Sequence, residues 1–168
     1  MNADKIYCVL AGYDAQTEQY LAGLQQSLYG RGFSGTQTKD IFMHITLGTF
    51  SPSDEEMLIE KIRSAAADFA PFDVTFNHIG IFGGSKVLFI APDPNVQLLS
   101  LKECFGPSDN WTPHTTMLID EPETVFRAVP IVSEGFKAFR GQVTSLNLYE
   151  FWPTRKVFSM PLNAENEG

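Results

Sequence analysis

Ile41-Phe42-Met43-His44-Ile45-Thr46-Leu47-Gly48 alternates between aliphatic and other side chains. In an extended chain Ile41, Met43, Ile45 and Leu47 fall on one face, and Phe42, His44, Thr46 and Gly48 on the other. A strand with this pattern buries its aliphatic face and presents an imidazole and a hydroxyl side by side. Same-face neighbours stand about 6 to 7 Å apart, so one phosphate group can touch both. Seventy residues on, Pro113-His114-Thr115-Thr116-Met117-Leu118-Ile119 repeats the arrangement. His114 and Thr116 share a face there, with Thr115, Met117 and Ile119 behind them. The chain has three histidines, and two of them open a His-x-Thr-apolar tetrapeptide on a predicted strand.

The segments around the two motifs follow a common order. The apolar run Lys5 to Ala11 reads as a central strand, and Asp14 is suited to cap a helix over 15–29. Glycines 30, 32 and 35 end that helix, and the first motif strand covers 41–50. Ser53 then caps an acid-led helix that should carry Met57, Leu58, Ile59, Ile62 and Ala66. A strand over 72–82 and a turn at Gly83-Gly84-Ser85 lead into Val87 to Ala91. From there the order recurs: a helix over 95–105 with Leu98, Leu101 and Phe105 inward, the second motif strand, and a helix opening at Asp120-Glu121-Pro122-Glu123. Pro130 is expected to cut that last helix short. Strands at 142–151 and 155–162 close the chain, and the polar tail from Asn163 is expected to fray. The pattern predicts an α+β fold made of a duplicated αβ unit with mainly antiparallel sheets. The 168 residues then form one bilobal domain, with halves of about 1–82 and 86–162 and both histidine strands at a central cleft.

Composition narrows the partners. The chain is 43% hydrophobic with fourteen phenylalanines, which supports a packed core and argues against disorder. Its net charge of −8, from 12 basic and 20 acidic residues, disfavours a broad surface tracking duplex nucleic acid. A small anion held by a few focused donors stays compatible with that charge. Cys8 and Cys104 lie in apolar surroundings without Cys-x-x-Cys spacing, so both are expected to be buried free thiols. No apolar run approaches the ~18 residues of a membrane span and no leader pattern opens the sequence. The chain reads as a soluble, cytoplasmic monomer.

Opening a phosphodiester requires a base for the attacking oxygen, an acid for the leaving oxygen and donors for the phosphoryl oxygens. Imidazole serves both proton roles because its unperturbed pKa of ~6.5 lies near working pH. Each threonine, two residues on, supplies a hydroxyl to a non-bridging oxygen. This chemistry calls for no metal and no cofactor. Three readings stay open: a phosphodiesterase and a nucleotide- or RNA-end-binding module without turnover, which need the same four residues, and a structural protein with strand histidines and no ligand.

The paired motifs His44-Ile45-Thr46-Leu47 and His114-Thr115-Thr116-Met117 resemble those of the 2H phosphoesterase superfamily. That group includes the RNA 2′,3′-cyclic phosphodiesterases long called 2′-5′ RNA ligases. The resemblance extends over the strand pair Ile79–Phe82 and Val87–Ile90 and over the closing hairpin from Leu146 to Leu162. It implies a bilobal α+β fold with the motifs facing each other across a cleft. By position it makes His44 the proton donor to the leaving oxygen, His114 the base that activates water, and Thr46 and Thr116 the phosphate binders. Many RNA-processing members carry an arginine shortly after the second motif, whereas this chain has Leu118-Ile119-Asp120. That departure and the acidic composition favour a nucleotide or oligonucleotide end carrying a cyclic phosphate over tRNA-sized substrates.

Further candidates are weaker in the sequence. Trp111, in the loop before the second motif, is the chosen base-stacking side chain among Phe50, Phe82, Trp111, Tyr149 and Trp152. Arg155, in the last hairpin turn, is a candidate phosphate contact. His78 is a possible cleft residue or, with His44 and His114, a zinc ligand, although threonines have no place in zinc chemistry.

Overall fold

The computed structural model describes residues 5–51 and 55–166. Its elements are β1 (Ile6–Tyr13), α1 (Ala15–Gly30), β2 (His44–Phe50), α2 (Glu55–Asp68), β3 (Phe72–Ile81), β4 (Val87–Pro92), α3 (Val96–Glu103), β5 (Thr115–Ile119), α4 (Pro122–Gly135), β6 (Phe139–Phe151) and β7 (Arg155–Pro161). All seven strands belong to one sheet of order β2-β1-β6-β3-β4-β5, with β7 on β6, and every pairing is antiparallel. The fold is α+β. Exchanging β1 with β4, β2 with β5 and β3 with β6 turns this order into its own reverse. The two motif strands are therefore the two ends of the path.

Strand β6 is long enough to join both sides. Its first residues, Phe139 to Val143, pair with β3, and Val143 to Phe151 pair with β1. Along β1 the alternate residues Tyr7, Val9, Ala11 and Tyr13 enter the main core with Leu21, Leu24 and Leu28 of α1 and Leu58 and Ile62 of α2. Cys8 and Leu10 point to the opposite face, where they meet Phe42, Tyr149 and Phe151 in a smaller cluster. Period-two alternation thus separates a helix-covered face from the face that carries the motifs.

Several expectations meet a different structure. The first motif strand begins at His44 and not at 41, because the Met43 amide is taken by the Glu18 carboxylate and not by a neighbouring strand. Met57 is 48% exposed, and Ala65 takes its expected place beside Leu58, Ile62 and Ala66. Pro130 does not end α4, which runs on to Gly135. Both Pro130 and Phe126, whose carbonyl it leaves without a donor, lie on the exposed side, where water can take that carbonyl. Cys104 is exposed, and only Cys8 is a buried free thiol. The tail does not fray at Asn163, whose amide meets the Ala66 and Phe69 carbonyls at the end of α2. The Asp14 cap is present, at 3.3 Å from the Thr17 amide, whereas the Ser53 cap lies outside the described residues. Among the described residues, no helix is long and apolar enough to cross a membrane.

Arg155 and Glu150 face each other across the β6–β7 ladder, and the guanidinium also reaches Glu55. The hydrogen bond from Arg155, joined by one from Lys5, holds the Glu150 carboxyl down at about 2. A carboxylate depressed in the fold stabilises it fully above its ordinary value near 4.5 and loses that contribution as pH falls towards 2. Melting temperatures recorded across this window should therefore fall more steeply for the native chain than for Arg155→Ala. Equal slopes would remove the ion pair from the stability account.

Candidate active site

The histidine of each motif is fixed in the same way. His44 Nδ1 lies 2.7 Å from the Phe42 carbonyl, and His114 Nδ1 lies 2.9 Å from the Thr112 carbonyl. A carbonyl oxygen only accepts, so each Nδ1 carries a hydrogen and each neutral ring keeps Nε2 as its free acceptor. Aromatic edges hold the rings from the side: Phe42 against His44 at 5.4 Å, and Phe82 against His114 at 4.7 Å. Phe89 adds a third ring, 5.4 Å from His114. Burial pushes His44 down to about 4, with the Phe42 hydrogen bond opposing and the nearby His114 adding to the depression. Burial also lowers His114, against the Thr112 hydrogen bond. Both shifts favour the neutral ring in the free protein.

The sheet's two end strands are tied together at the motifs themselves. Thr115, the middle residue of the second motif, donates its hydroxyl to the His44 carbonyl at 3.0 Å. Because its hydrogen is used there, the Tyr13 hydroxyl at 2.6 Å must donate to Thr115. A second tie runs from the Trp111 indole N–H to the Thr46 carbonyl, 3.3 Å away. Helix α1 braces both motif strands from behind. Glu18 accepts the Met43 amide at 2.9 and 3.0 Å, just before His44. Gln25, seven residues and two turns further, donates Nε2 to the Thr116 and Met117 carbonyls at 3.4 and 3.2 Å. Burial raises the Glu18 pKa, and the Met43 N–H works against that rise.

His44 and Thr116 line one cavity of about 190 Å³, together with Thr115. Thr46 and His114 do not contribute to its wall, although both are half-buried beside the residues that do. The other candidates have different partners. Trp111 is packed against the main core with the Lys102 ammonium 5.7 Å from its ring, so it is a brace for β2 and not a wall of the cavity. The wall instead contains Trp152, from the same aromatic set. The Arg155 guanidinium is held by Glu55 and Glu150 and does not line the cavity. His78 is exposed on β3 and meets Asp93 at 3.4 Å. Among the described residues, no three His, Cys, Asp or Glu side chains converge as a metal site. Glu18 and Gln25 escaped the sequence reading, yet one signal marks them: both are polar residues within the stripe formed by Leu21, Leu24 and Leu28.

This geometry can now be set beside known proteins. The sequence pattern of the 2′-5′ RNA ligase superfamily matches residues 17–151. The chain belongs to that superfamily. Among solved structures it is similar to E. coli LigT complexed with 3′-AMP, at 17% identity and a TM-score of 0.64, covering 96% of this chain and 99% of that one. It is equally similar in fold to TT0787 of Thermus thermophilus, at 16% identity and a TM-score of 0.63, with 96% and 100% covered. No curated protein matches the sequence. At such identities the structural likeness is one of fold.

The Thr115 relay has a measurable signature. Thr115→Val leaves the buried Tyr13 hydroxyl without its acceptor and should cost about 1 to 3 kcal/mol in chemical denaturation. Adding Tyr13→Phe removes the stranded hydroxyl, so the double variant should recover part of that loss. A double variant less stable than Thr115→Val would contradict the relay.

Proposed function

We propose that the protein is a metal-independent phosphodiesterase that opens a 2′,3′-cyclic phosphate, or a comparable small phosphodiester, on a nucleotide or oligonucleotide end. The observation that carries this reading is the matched pair of imidazoles, each pinned at Nδ1 and each with Nε2 free of a hydrogen-bond partner among the described residues. Membership of the superfamily supports phosphoester chemistry in general, and the complex of E. coli LigT with 3′-AMP supports a nucleotide as ligand. The working unit is a monomer of two pseudo-repeated halves, 1–82 and 86–162, acting in the cytoplasm without duplex nucleic acid or a cofactor.

In the proposed step His114 Nε2 takes a proton from water as the water oxygen bonds to phosphorus. The bond from phosphorus to one ribose oxygen breaks, and His44 Nε2 delivers its proton to that oxygen. Thr46 and Thr116 donate to the non-bridging oxygens. The product is a phosphate monoester, and the two rings have exchanged protonation states; proton return through solvent resets them.

His44 is neutral in the free protein, so the acid must acquire its proton. A bound phosphodiester anion favours the charged imidazolium and raises its pKa. The alkaline limb of kcat/KM, which reports the free protein, should accordingly lie below pH 6.5, the ordinary imidazole value. In kcat, which reports the complex, that limb should move to higher pH. A panel of cyclic nucleotides assayed with chelator present tests the reading. His44→Ala and His114→Ala should each lower turnover by about 10²-fold or more. Binding without turnover would make the protein a nucleotide-binding module, and activity lost with chelator would place a metal in the reaction.

A further inference from the structure

The two motif histidines lean on peptide units of different kinds. His44 Nδ1 donates to the carbonyl of the Phe42–Met43 peptide, and His114 Nδ1 to that of the Thr112–Pro113 peptide. A peptide unit is conjugated from its oxygen to its nitrogen, so a charge accepting from the N–H is felt at the C=O. In the first motif that N–H is occupied. Met43 N lies 2.9 and 3.0 Å from the two carboxyl oxygens of Glu18, and the Phe42–Met43 bond is trans. The groups therefore form one line: carboxylate, N–H, C=O, imidazole N–H. In the second motif the line ends at the peptide, because Pro113 has no N–H to give.

This difference bears on where a proton rests. Hydrogen bonds in a chain polarise one another, so a carboxylate at the N–H enriches the carbonyl oxygen in electrons. The Nδ1–H of an imidazolium is a stronger donor than that of a neutral ring, and an enriched acceptor favours the charged form. No proton has to leave either end of the line. The carboxylate keeps its charge, and the ring gains its proton at Nε2. Burial depresses His44 and the nearby His114 adds to the depression, so the line opposes both. Burial raises the Glu18 pKa, whereas the Met43 N–H favours its charged form. Tyr13 of β1 feels the Glu18 charge, and Tyr29, Lys39 and Asp40 line the same cavity of about 470 Å³ as Glu18.

We propose that Glu18 acts through the Phe42–Met43 peptide to stabilise the charged form of His44, and that this relay assigns the acid role to the first motif. Glu18 is a positioning residue, since its carboxylate reaches the ring only through the main chain. The second motif cannot be given the same support without replacing Pro113, which suits His114 to begin as the neutral base. The consequence for turnover rests on the phosphodiesterase reading. The relay itself is a property of the free protein.

The test is Glu18→Gln in the full chain, which keeps an oxygen for the Met43 N–H and removes the charge. Ring N–H protons of the two histidines are recorded by NMR at pH 7 without ligand. The His44 Nδ1 proton should move upfield in Glu18→Gln while that of His114 stays in place. A side chain that only braces the strand produces no such selective shift. A second measurement needs no variant: as pH falls, the His44 Nδ1 proton of the native chain should move at the midpoint of the Glu18 carboxyl carbon, and that of His114 should not. In turnover of 2′,3′-cyclic AMP, the alkaline limb of kcat should move down in Glu18→Gln by about half a pH unit, the size of one charge acting across a peptide. Above that limb kcat then falls about threefold. A His44 proton that ignores the Glu18 midpoint, equal shifts at both histidines, or an unmoved kcat limb would overturn the proposal. If no cyclic nucleotide is opened, the phosphodiesterase reading fails by itself, and the two NMR measurements still decide the relay.

Discussion

One hydrogen bond between the two ends of the sheet organises the site. The strand path begins at β2 and ends at β5, and the Thr115 hydroxyl on the His44 carbonyl joins those ends. A twisted open sheet does not in general bring its edge strands together. Here the bond sets one motif against the other through a buried threonine hydroxyl whose rotamer is held by the Tyr13 hydroxyl on its other side. It leaves both imidazoles free of mutual constraint, because the contact is made by the middle residue of one motif and the main chain of the other. The histidines are positioned by the link without being part of it.

Helix α1 makes that placement rigid. An amphipathic helix normally reserves its inward stripe for apolar side chains, and polar groups in the stripe must find partners. Glu18 and Gln25 meet this requirement on different strands, one before His44 and the other behind Thr116. A single helix face therefore sets the height of both motifs at once. Rigid elements supporting the reacting groups are what proton transfer at fixed distance needs.

The sequence was informative where a local rule applied. Alternation in 43–48 identified the buried and presented faces of β2, whereas Ile41, ahead of the strand, packs with Phe42 in the smaller cluster; Asp14 and the Gly83-Gly84-Ser85 turn mark element ends that the structure contains. It was silent where the answer depended on which strands meet. The sequence offers Arg155 as a phosphate contact and does not show its mate, Glu150, which only the β6–β7 register specifies. Trp111 was favoured over Trp152 by nearness in the chain to His114, yet the β6 end, not the preceding loop, reaches the cavity. Pro130 was read by its missing N–H alone, and helix position relative to solvent reversed the outcome. Periodicity reports a residue's face; partners come from topology.

The two halves correspond in strand order but not in the chemistry of their presented faces. Across the first side, the register sets Thr46 beside Leu10 and Leu10 beside Asn147, whose amide continues to Ser145 and Ser159. Across the second, it sets Thr116 beside Phe89 and Phe89 beside Gly80. The Phe89 ring occupies the space above Gly80 that a side chain would need, and Phe82 leans on it at 4.5 Å. His114 thus stands in an aromatic wall, whereas His44 has a polar row two strands away. The middle residues differ as well: Ile45 is wholly buried, and Thr115 supplies the bond that closes the site. Two copies of one motif on such unequal walls give two imidazoles of the same geometry in different environments. In the proposed reaction such a difference in surroundings distinguishes acid from base, because a symmetric pair offers no reason for one ring to gain the proton that the other lacks.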